Sequence, residues 1–232
     1  MTIFTIAYNE EILIQHFINH YRSKFPGCRI IVFDNYSTDK TREIVRDNEG
    51  EVWMYDSHNQ IRDDLYLKIK NNCWKWCDDD WVCICDVDEL CDINETQLNS
   101  EAKAGATVIK FTGWHMVNTS TDPNNINLHL DSGIRDTMYD KCLMFSPKHI
   151  KEINYSVGAH GCKIIGKRKY GGHYNCWHLK FIGKNHLIKR YTEFASRLSD
   201  ENKKLGWGVQ YVSDRLAEDY DKHQKMELKK IR

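Results

Sequence analysis

The sequence lacks the features that would place it in several large classes of protein. Its 33 basic and 33 acidic residues give a formal net charge of zero, so no overall positive charge is present to attract nucleic acid. No apolar run approaches the roughly 20 residues of a membrane span, and no repeat or low-complexity tract is visible. A chain of 232 residues is nevertheless long enough for one domain with a substantial core.

The sequence predicts neither an export signal nor a disulfide framework. Its opening stretch, MTIFTIAYNEE, becomes acidic too early for a signal peptide. The nine cysteines are an odd number, and several occupy apolar positions, as reduced core cysteines do. Five of them between positions 73 and 91 do not form two CxxC pairs, so packing is favoured over a zinc site. We therefore expect a cytoplasmic protein.

The first half of the chain alternates short apolar runs with segments of helical period. Four runs predict buried strands, at positions 3–7, 29–33, 51–55 and 81–85. Helical periods separate them, and the first, with Asn9 as a possible cap, places Ile14, Phe17, Ile18 and Tyr21 on one face. The order βαβαβαβ predicts a mostly parallel, doubly wound sheet that is covered on both faces.

The second half is less regular. Strands are predicted at 106–111 and 141–145, with a long polar segment between them, and a helix is predicted from Lys184 to Leu198. We expect one α/β domain, with the parallel sheet in residues 1–92 and a mixed-sheet half in residues 93–232. The Lys-rich tail from Tyr220 is expected to be a solvated helix end, and peripheral contact with an anionic membrane is the alternative.

Polar clusters follow three of the four predicted parallel strands. They occupy positions 8–11, 34–39 and 86–89. Ligands on sheets of this kind bind outside the carboxyl ends of the strands, which lie at one edge of the sheet. The topology therefore predicts that the three clusters converge on one site.

The cluster in CICDVDEL, at positions 83–90, is acidic, and buried carboxylates require a partner. If the strand continues, Asp86 and Asp88 lie on the same face, with Cα atoms about 6.5–7 Å apart. There they can share a divalent cation, or one can bind the cation and the other a sugar hydroxyl. Leu90 and Cys91 exclude a calcium loop, which needs Asp or Asn at the fifth position and Gly at the sixth. The alternative that Asp86 and Asp88 only end a strand and cap the next turn remains open. Glu89 is expected to point away and to orient the neighbouring loop.

These motifs together resemble the family-2-like glycosyltransferases, over most of the chain. The segments that carry the resemblance are AYNEE, FDNYSTDKT, DDLYLKIKNNCWK and CICDVDEL, followed by GAHGC, WHLKFIG and KRYTEFASRLSDENKKLGWG. The resemblance implies a GT-A fold with a DxD motif. It also implies transfer of a sugar from a nucleoside-diphosphate sugar to a hydroxyl of a glycan or another acceptor, without choosing among UDP, GDP and dTDP.

The resemblance also implies a set of donor-binding residues. The base would lie against Ala7 and Tyr8 and donate to Asp34, while Lys70 and Asn71 would approach the ribose and diphosphate. The full set is Ala7, Tyr8, Asn9, Glu11, Asp34, Arg62, Lys70, Asn71 and Asp86. Arg62 has the alternative of an exposed residue at a helix start, and Ser37 and Asp39 have the alternative of stabilising their own loop.

The metal would be Mg²⁺ or Mn²⁺, and Asp88 would bind it directly. Asp86 would bind the metal directly, bind a water on the metal, or contact the ribose. His178 in WHLK matches a histidine that relatives supply to the metal, and a nitrogen ligand favours Mn²⁺. His160 is the second choice. The metal would neutralise the departing diphosphate as a Lewis acid.

An inverting reaction would need a carboxylate base, whereas a retaining reaction would not. Asp131 is the first candidate base, with Asp136 and the more distant Asp122 as others. Four basic residues are candidate anion or structural partners: Arg135, Lys141, Arg190 and Arg197. The competing functions are a Mg²⁺-dependent nucleotidyltransferase or phosphatase, and a non-catalytic sugar-binding module. The first is disfavoured because AYNEE contains no glycine for a phosphate loop.

Overall fold

The computed structural model of the chain describes residues 1–118, 126, 132–213 and 215–231. Its first half has the predicted alternation of strand and helix. The elements are β1 (Thr2–Ala7), α1 (Glu11–Lys24), β2 (Arg29–Asp34), α2 (Thr41–Asp47), β3 (Glu51–Met54), α3 (Asp63–Asn72) and β4 (Val82–Ile84).

The second half contains shorter strands and the later helices. They are β5 (Glu89–Asp92), α4 (Glu95–Lys103), β6 (Val108–Ile109), β7 (Phe111–His115), β8 (Ser132–Arg135), β9 (Met144–Phe145), β10 (Ile150–Glu152), β11 (Ile165–Gly166), β12 (Tyr174–His178), α5 (Lys184–Ser196), α6 (Asp200–Lys204), α7 (Leu216–Gln224) and β13 (Lys229–Lys230). The helix predicted from Lys184 is confirmed as α5. The predicted solvated tail is only partly right, because its end pairs with β8 as β13.

Two larger sheets contain most of these strands, and β10 and β11 form a separate antiparallel pair. The first has the order β3-β2-β1-β4-β9-β6, in which β1 to β4 are mutually parallel and β9 pairs antiparallel with β4 and β6. The second has the order β13-β8-β7-β12-β5, in which β7 and β12 are parallel. The expected α/β fold, with a doubly wound parallel half and a mixed half, is confirmed.

The parallel strands bury both of their faces. Ile3 belongs to the core beneath α1, whereas its neighbour Phe4 belongs to the core beneath α3. Side chains alternate across a strand, so the continuous apolar runs reflect two separate cores. The α1 stripe of Leu13, Ile14, Phe17, Ile18 and Tyr21 is fully buried in the first core.

One predicted helix cap is wrong. α1 begins at Glu11, and the side chain of the preceding residue, Glu10, makes no capping hydrogen bond. Asn9 has a positive φ of 53°, and its side-chain oxygen accepts hydrogen bonds from the loop that follows β2. Among the described residues, no helix is both long and apolar enough to span a membrane.

Candidate active site

A cavity of about 610 Å³ lies where the carboxyl ends of β1 and β4 meet those of β7 and β12. Its volume is in the range of small-molecule sites. Predicted donor and metal residues line it: Ala7, Tyr8, Lys70, Asp86, Asp88 and His178. The other candidates on its wall are Asp136, Lys141, His160, Arg190 and Arg197.

The polar residues that follow β2 pack behind the cavity. We call this group the loop cluster: Asn9, Glu11, Asp34, Ser37 and Asp39. The buried Asp34 carboxylate accepts hydrogen bonds from the backbone nitrogen and hydroxyl of Ser37. Asp39 accepts from the backbone nitrogens of Thr41 and Glu11, at 2.9 and 3.0 Å, and so joins the starts of two helices.

The remaining members of the loop cluster connect the same two loops. The Asn9 side-chain oxygen accepts from the backbone nitrogen of Thr38 at 2.8 Å, and Glu11 accepts from that of Lys40 at 3.2 Å. Asn9, Glu11 and Asp34 therefore use their side chains to hold loops together in this structure.

Two predicted donor residues on or beside α3 are also engaged elsewhere. Arg62 pairs with Asp64 at 2.6 Å, and its side chain is about one-third exposed. Asn71 accepts a hydrogen bond from the backbone nitrogen of Tyr155 at 2.7 Å. Lys70, in contrast, reaches the cavity and contacts Asp86 at 2.6 Å.

The acidic motif, residues 86–89, forms a turn. β4 ends at Ile84, and the backbone nitrogen of Glu89 donates to the carbonyl of Asp86 at 3.0 Å. The prediction that Asp86 and Asp88 share one face of a continuing strand is therefore wrong. The chain leaves the first sheet at Ile84 and enters the second sheet as β5 at Glu89.

Glu89 orients this turn, as predicted. Its carboxylate accepts from the backbone nitrogen of Asp86 at 3.1 Å and forms a fully buried ion pair with Lys141. Burial opposes the charge of Lys141, but Glu89 and Asp86 raise its pKa. The ammonium also donates to the carbonyl of Gly158 at 2.6 Å. This pair fixes the turn against the segment that carries His160.

The two motif aspartates have different cationic partners. Burial opposes ionisation of Asp86, yet Lys70 and Lys141 lower its pKa. Asp88 is also desolvated, and Arg190 and His178 hold its pKa well below the usual range. Both carboxylates are therefore ionised acceptors at the cavity wall.

Arg190 links Asp88 to Glu10, which the sequence analysis did not name among the site residues. The guanidinium donates to Asp88 at 2.7 Å and to Glu10 at 2.6 Å. Burial raises the pKa of Glu10 to about 7, against the attraction of Arg190. We call the charged group around the turn the cavity cluster: Glu10, Lys70, Asp86, Asp88, Glu89, Lys141 and Arg190.

A row of polar side chains crosses the ends of the second sheet. His115 ends β7, and His178 ends β12 at the same register. Their Nδ1 atoms are 2.9 Å apart, and Nε2 of His115 is 2.9 Å from Oδ2 of Asp136. Burial and His178 lower the pKa of His115 to about 3, against Asp136. His115 is therefore neutral at ordinary pH.

Sequence reasoning missed His115. Its only signal was a histidine at the end of the segment FTGWH, whose alternation of buried and half-buried residues identifies β7 in the structure. The partner strand β12 lies about sixty positions later, and only the register brings the two histidines together. Tyr139, which stacks on His178 with ring centroids 3.9 Å apart, was missed for the same reason.

Asp88 and His178 fit a divalent cation. Nε2 of His178 lies 3.4 Å from Oδ2 of Asp88, and both side chains are at least nine-tenths buried at the cavity wall. Adjacent ligands of an octahedral ion are about 3 Å apart, so a small adjustment suffices. Within the described ranges, no cluster of three His, Cys, Asp or Glu side chains could hold a metal. A bound ion would therefore need further ligands from substrate or water.

His160 and Arg197 occupy the cavity wall on either side. The ring of His160 contacts the carbonyl of Met138 through Nδ1 at 2.7 Å. The Arg197 guanidinium lies 3.2 Å from the centroid of the Tyr8 ring and donates to the carbonyl of Asn59 at 3.1 Å. One terminal nitrogen of Arg197 is buried without a hydrogen-bond partner among the described residues.

Of the three candidate bases, the structure describes Asp136. Asp131 and Asp122 lie outside the described residues. Asp136 is described, and both of its oxygens are engaged, one with His115 and the other with the backbone nitrogen of Met138. Arg135 pairs with Asp140 at 2.6 Å, away from the acidic turn.

Comparison with known proteins places the chain in a family. The model of glycosyl transferase family 2 matches residues 2–170. A search of curated proteins gave no significant match.

Several solved structures are similar to this chain. S. aureus TarS is 13% identical, with a TM-score of 0.49, over 93% of this chain and 49% of that one. TarS 1–349 in complex with UDP-GlcNAc is 14% identical, with a TM-score of 0.44, over 96% and 72%. Glucosyl-3-phosphoglycerate synthase from Mycobacterium tuberculosis, with Mn²⁺, UDP and glucosyl-3-phosphoglycerate, is 17% identical, with a TM-score of 0.35, over 48% and 43%.

The chain thus spans about half the length of the full TarS chain. The family model, in contrast, matches well over half of the present chain and includes the strand-one, strand-two and DxD motifs. The protein belongs to glycosyl transferase family 2, as its motifs suggested.

Proposed function

We propose that this chain is a metal-dependent glycosyltransferase that moves a sugar from a nucleoside-diphosphate sugar to a hydroxyl of a glycan or another acceptor. The observation that carries the proposal is the convergence of the acidic turn, His178 and three buried cations on one cavity. Membership of glycosyl transferase family 2 supports the reaction class.

The nucleotide would lie beside the end of β1. There the Tyr8 ring and the Arg197 guanidinium stacked against it line the cavity wall and would border the base. Ala7, at the end of β1, offers backbone contacts. We assign Asn9, Glu11 and Asp34 to the support of this wall, because their hydrogen bonds join the loops that follow β1 and β2.

The diphosphate would lie against the cavity cluster. Lys70, Lys141 and Arg190 bring three buried positive charges to within 4.0 Å of the motif carboxylates. Fixed charges in a site sheltered from water stabilise a developing negative charge with little reorganisation. These cations would therefore hold the donor phosphates and favour departure of the nucleoside diphosphate.

Asp88 and His178 would hold Mn²⁺ or Mg²⁺, with Asp86 directed toward the ribose or a water on the ion. A carboxylate oxygen and an imidazole nitrogen form a donor set that suits Mn²⁺. When bound, the ion would supply Lewis-acid stabilisation of the leaving diphosphate. Arg190 contacts Asp88 and fixes the direction of its carboxylate.

The acceptor proton would go to a carboxylate if the reaction inverts the sugar configuration. Asp131 remains our candidate for that base. A nucleotidyltransferase or phosphatase fits less well, because the acid nearest the end of β1, Glu10, is buried and bound by Arg190. A carboxylate held in this way is a poor nucleophile.

A donor panel tests the proposal. UDP-, GDP- and dTDP-sugars are added with Mn²⁺, and both thermal stability and donor hydrolysis are measured. The correct donor at 100 times its Kd should raise Tm by roughly 5–10 °C, and the shift should diminish with EDTA.

The matched control is Asp80→Asn, a substitution at an exposed aspartate that pairs only with exposed Lys148. It should respond to the donors like the wild type. If no nucleotide sugar stabilises the protein and EDTA changes nothing, the proposed function is wrong.

A further inference from the structure

One lysine on the cavity wall has no role in the proposed donor site. Lys180 follows β12, and both Lys180 and His178 line the cavity. Leu179 between them is buried in the core, and its backbone nitrogen donates to the carbonyl of Asp88 at 2.8 Å. The chain therefore directs His178 and Lys180 to the cavity and Leu179 away from it.

The partners of Lys180 differ from those of the other cavity cations. Lys70, Lys141 and Arg190 each form an ion pair with a carboxylate of the cavity cluster. The ammonium of Lys180 makes no hydrogen bond or ion pair with any residue that the structure describes.

Acidic residues affect Lys180 only at longer range. Asp219, Asp88 and Asp136 attract its charge from beyond ion-pair distance. Two of them already have closer partners, since Arg190 contacts Asp88 and His115 contacts Asp136. All three N–H donors of Lys180 are thus available to an anion in the cavity.

Two aromatic rings hold this ammonium in place. Nζ lies 5.1 Å from the centroid of the Phe181 ring and 5.2 Å from that of the Tyr191 ring. Tyr191 packs edge-on against Tyr211, another residue of the cavity wall, with centroids 5.3 Å apart. Aromatic rings attract a cation without accepting conventional hydrogen bonds from it, so they position Lys180 and leave its donors unused.

The position of Lys180 separates it from the proposed phosphate site. The donor phosphates would lie against the cavity cluster, whereas Lys180 follows a strand of the second sheet. The acceptor hydroxyl must reach the transferred sugar through the part of the cavity that the nucleotide does not fill. Lys180 therefore faces the space left for the acceptor.

We propose that Lys180 binds an anionic group, a phosphate or a carboxylate, that the acceptor carries, so that the site selects acidic acceptors over neutral ones. This inference rests on the proposed glycosyl transfer. An ammonium on a flexible stem binds such oxygens as a point charge, and the attraction is stronger in a cavity sheltered from water.

The first experiment compares three sugars that share one ring: glucose, glucose 6-phosphate and glucuronate. Each is titrated by calorimetry into protein saturated with Mn²⁺ and the nucleoside diphosphate that the donor panel selects, so that the cavity cluster is occupied. The wild type should bind at least one acidic sugar about 10–100-fold more tightly than glucose. The stronger of the two acidic sugars identifies the anionic group.

The variants assign that preference to Lys180. Lys180→Met keeps an apolar stem against the rings and should lose the preference, as should Lys180→Gln, whereas Lys180→Arg should retain it. Lys148→Met, at an exposed lysine that pairs with Asp80, is the matched control and should bind all three sugars like the wild type. No preference for an acidic sugar in the wild type would overturn the proposal, as would an unchanged preference in Lys180→Met.

The second experiment separates the acceptor from the donor. Affinity for the nucleoside diphosphate should stay at the wild-type value in Lys180→Met and fall in Lys70→Met. If Lys180→Met instead loses nucleotide affinity and keeps the preference for acidic sugars, Lys180 belongs to the donor site and the proposal is wrong. If the wild type binds no nucleoside diphosphate, the proposed function fails, and the same sugar titrations without nucleotide decide whether Lys180 holds an anion.

Discussion

Two groups of polar side chains lie at the carboxyl edge of the same parallel sheet, and they satisfy their charges differently. In the loop cluster, Asp34 and Asp39 accept hydrogen bonds from backbone nitrogens and a hydroxyl, and Arg42 approaches Asp34 only to 3.8 Å. In the cavity cluster, the carboxylates contact Lys70, Lys141 and Arg190. The first group closes on itself, whereas the second faces open space.

The charges of the cavity cluster do not balance internally. Four carboxylates share three cations, and the pKa of Glu10 rises to about 7 in their midst. An excess of buried acid beside an open cavity favours a bound cation, whereas acids that accept from neutral donors mark structural support. Polar residues after a strand can thus have either role, and their partners distinguish the two.

The largest effect on stability should come from breaking the buried pair of the cavity cluster. Lys141→Met leaves Glu89 buried without a countercharge, so the free energy of unfolding should fall by about 3–5 kcal/mol in denaturant titrations. Lys75→Met, which breaks the half-exposed pair with Glu152, is the matched control and should cost less than about 1 kcal/mol. Equal losses of unfolding free energy in the two variants would show that the buried ion pair contributes no more to stability than the partly exposed one.

A smaller effect should come from the acid excess at Glu10. Burial raises the pKa of Glu10 from its ordinary value of 4.5 to about 7, so the folded protein favours the protonated form. This contribution to stability is present below about pH 4.5 and is lost as the pH rises through 7.

The Glu10→Gln variant isolates that contribution. In EDTA, the wild type should lose roughly 3 kcal/mol relative to Glu10→Gln between pH 4.5 and 8. Unfolding titrations across this range measure the difference. A constant difference between the two proteins would contradict the burial of an excess acid at this position.

The smallest effect should come from the loop cluster. Asp39→Ala removes an acceptor for the first backbone nitrogens of α1 and α2, which should cost about 1–2 kcal/mol in unfolding titrations. Mn²⁺ affinity should stay at the wild-type value, because Asp39 accepts from the backbone nitrogens of Glu11 and Thr41, which lie behind the cavity wall. Weaker Mn²⁺ binding in Asp39→Ala would show that the loop cluster also supports metal binding, and would contradict the separation of the two clusters.

The sequence predicted the features that depend on local period and chain direction. The alternation of strand and helix places Tyr8 and the acidic turn at one edge, because the carboxyl ends of parallel strands share that edge. The end of β4 was predicted one residue late, because Cys85 is apolar and buried although it already lies outside the strand.

The features that were missed depend on long-range pairing. Lys141 meets Glu89 only because β4 and β9 pair, and His115 meets His178 only because β7 and β12 are in register. Hydrophobic periodicity does not predict the order of short strands in a sheet. It therefore could not show that Lys141, among the four candidate basic residues, contacts the acidic turn, or that His115 lies beside His178. His178 was found through the resemblance of WHLK to a family motif.

The central claim is that Asp88 and His178 hold a divalent cation beside the donor phosphates. The most direct test is a Mn²⁺ titration followed by electron paramagnetic resonance, with UDP present, on the wild type, Asp88→Asn and the Asp80→Asn control. We predict one tightly bound Mn²⁺ per chain in the wild type and the control, and binding at least about 100-fold weaker in Asp88→Asn. An Asp88→Asn protein that binds Mn²⁺ as tightly as the wild type would contradict the claim.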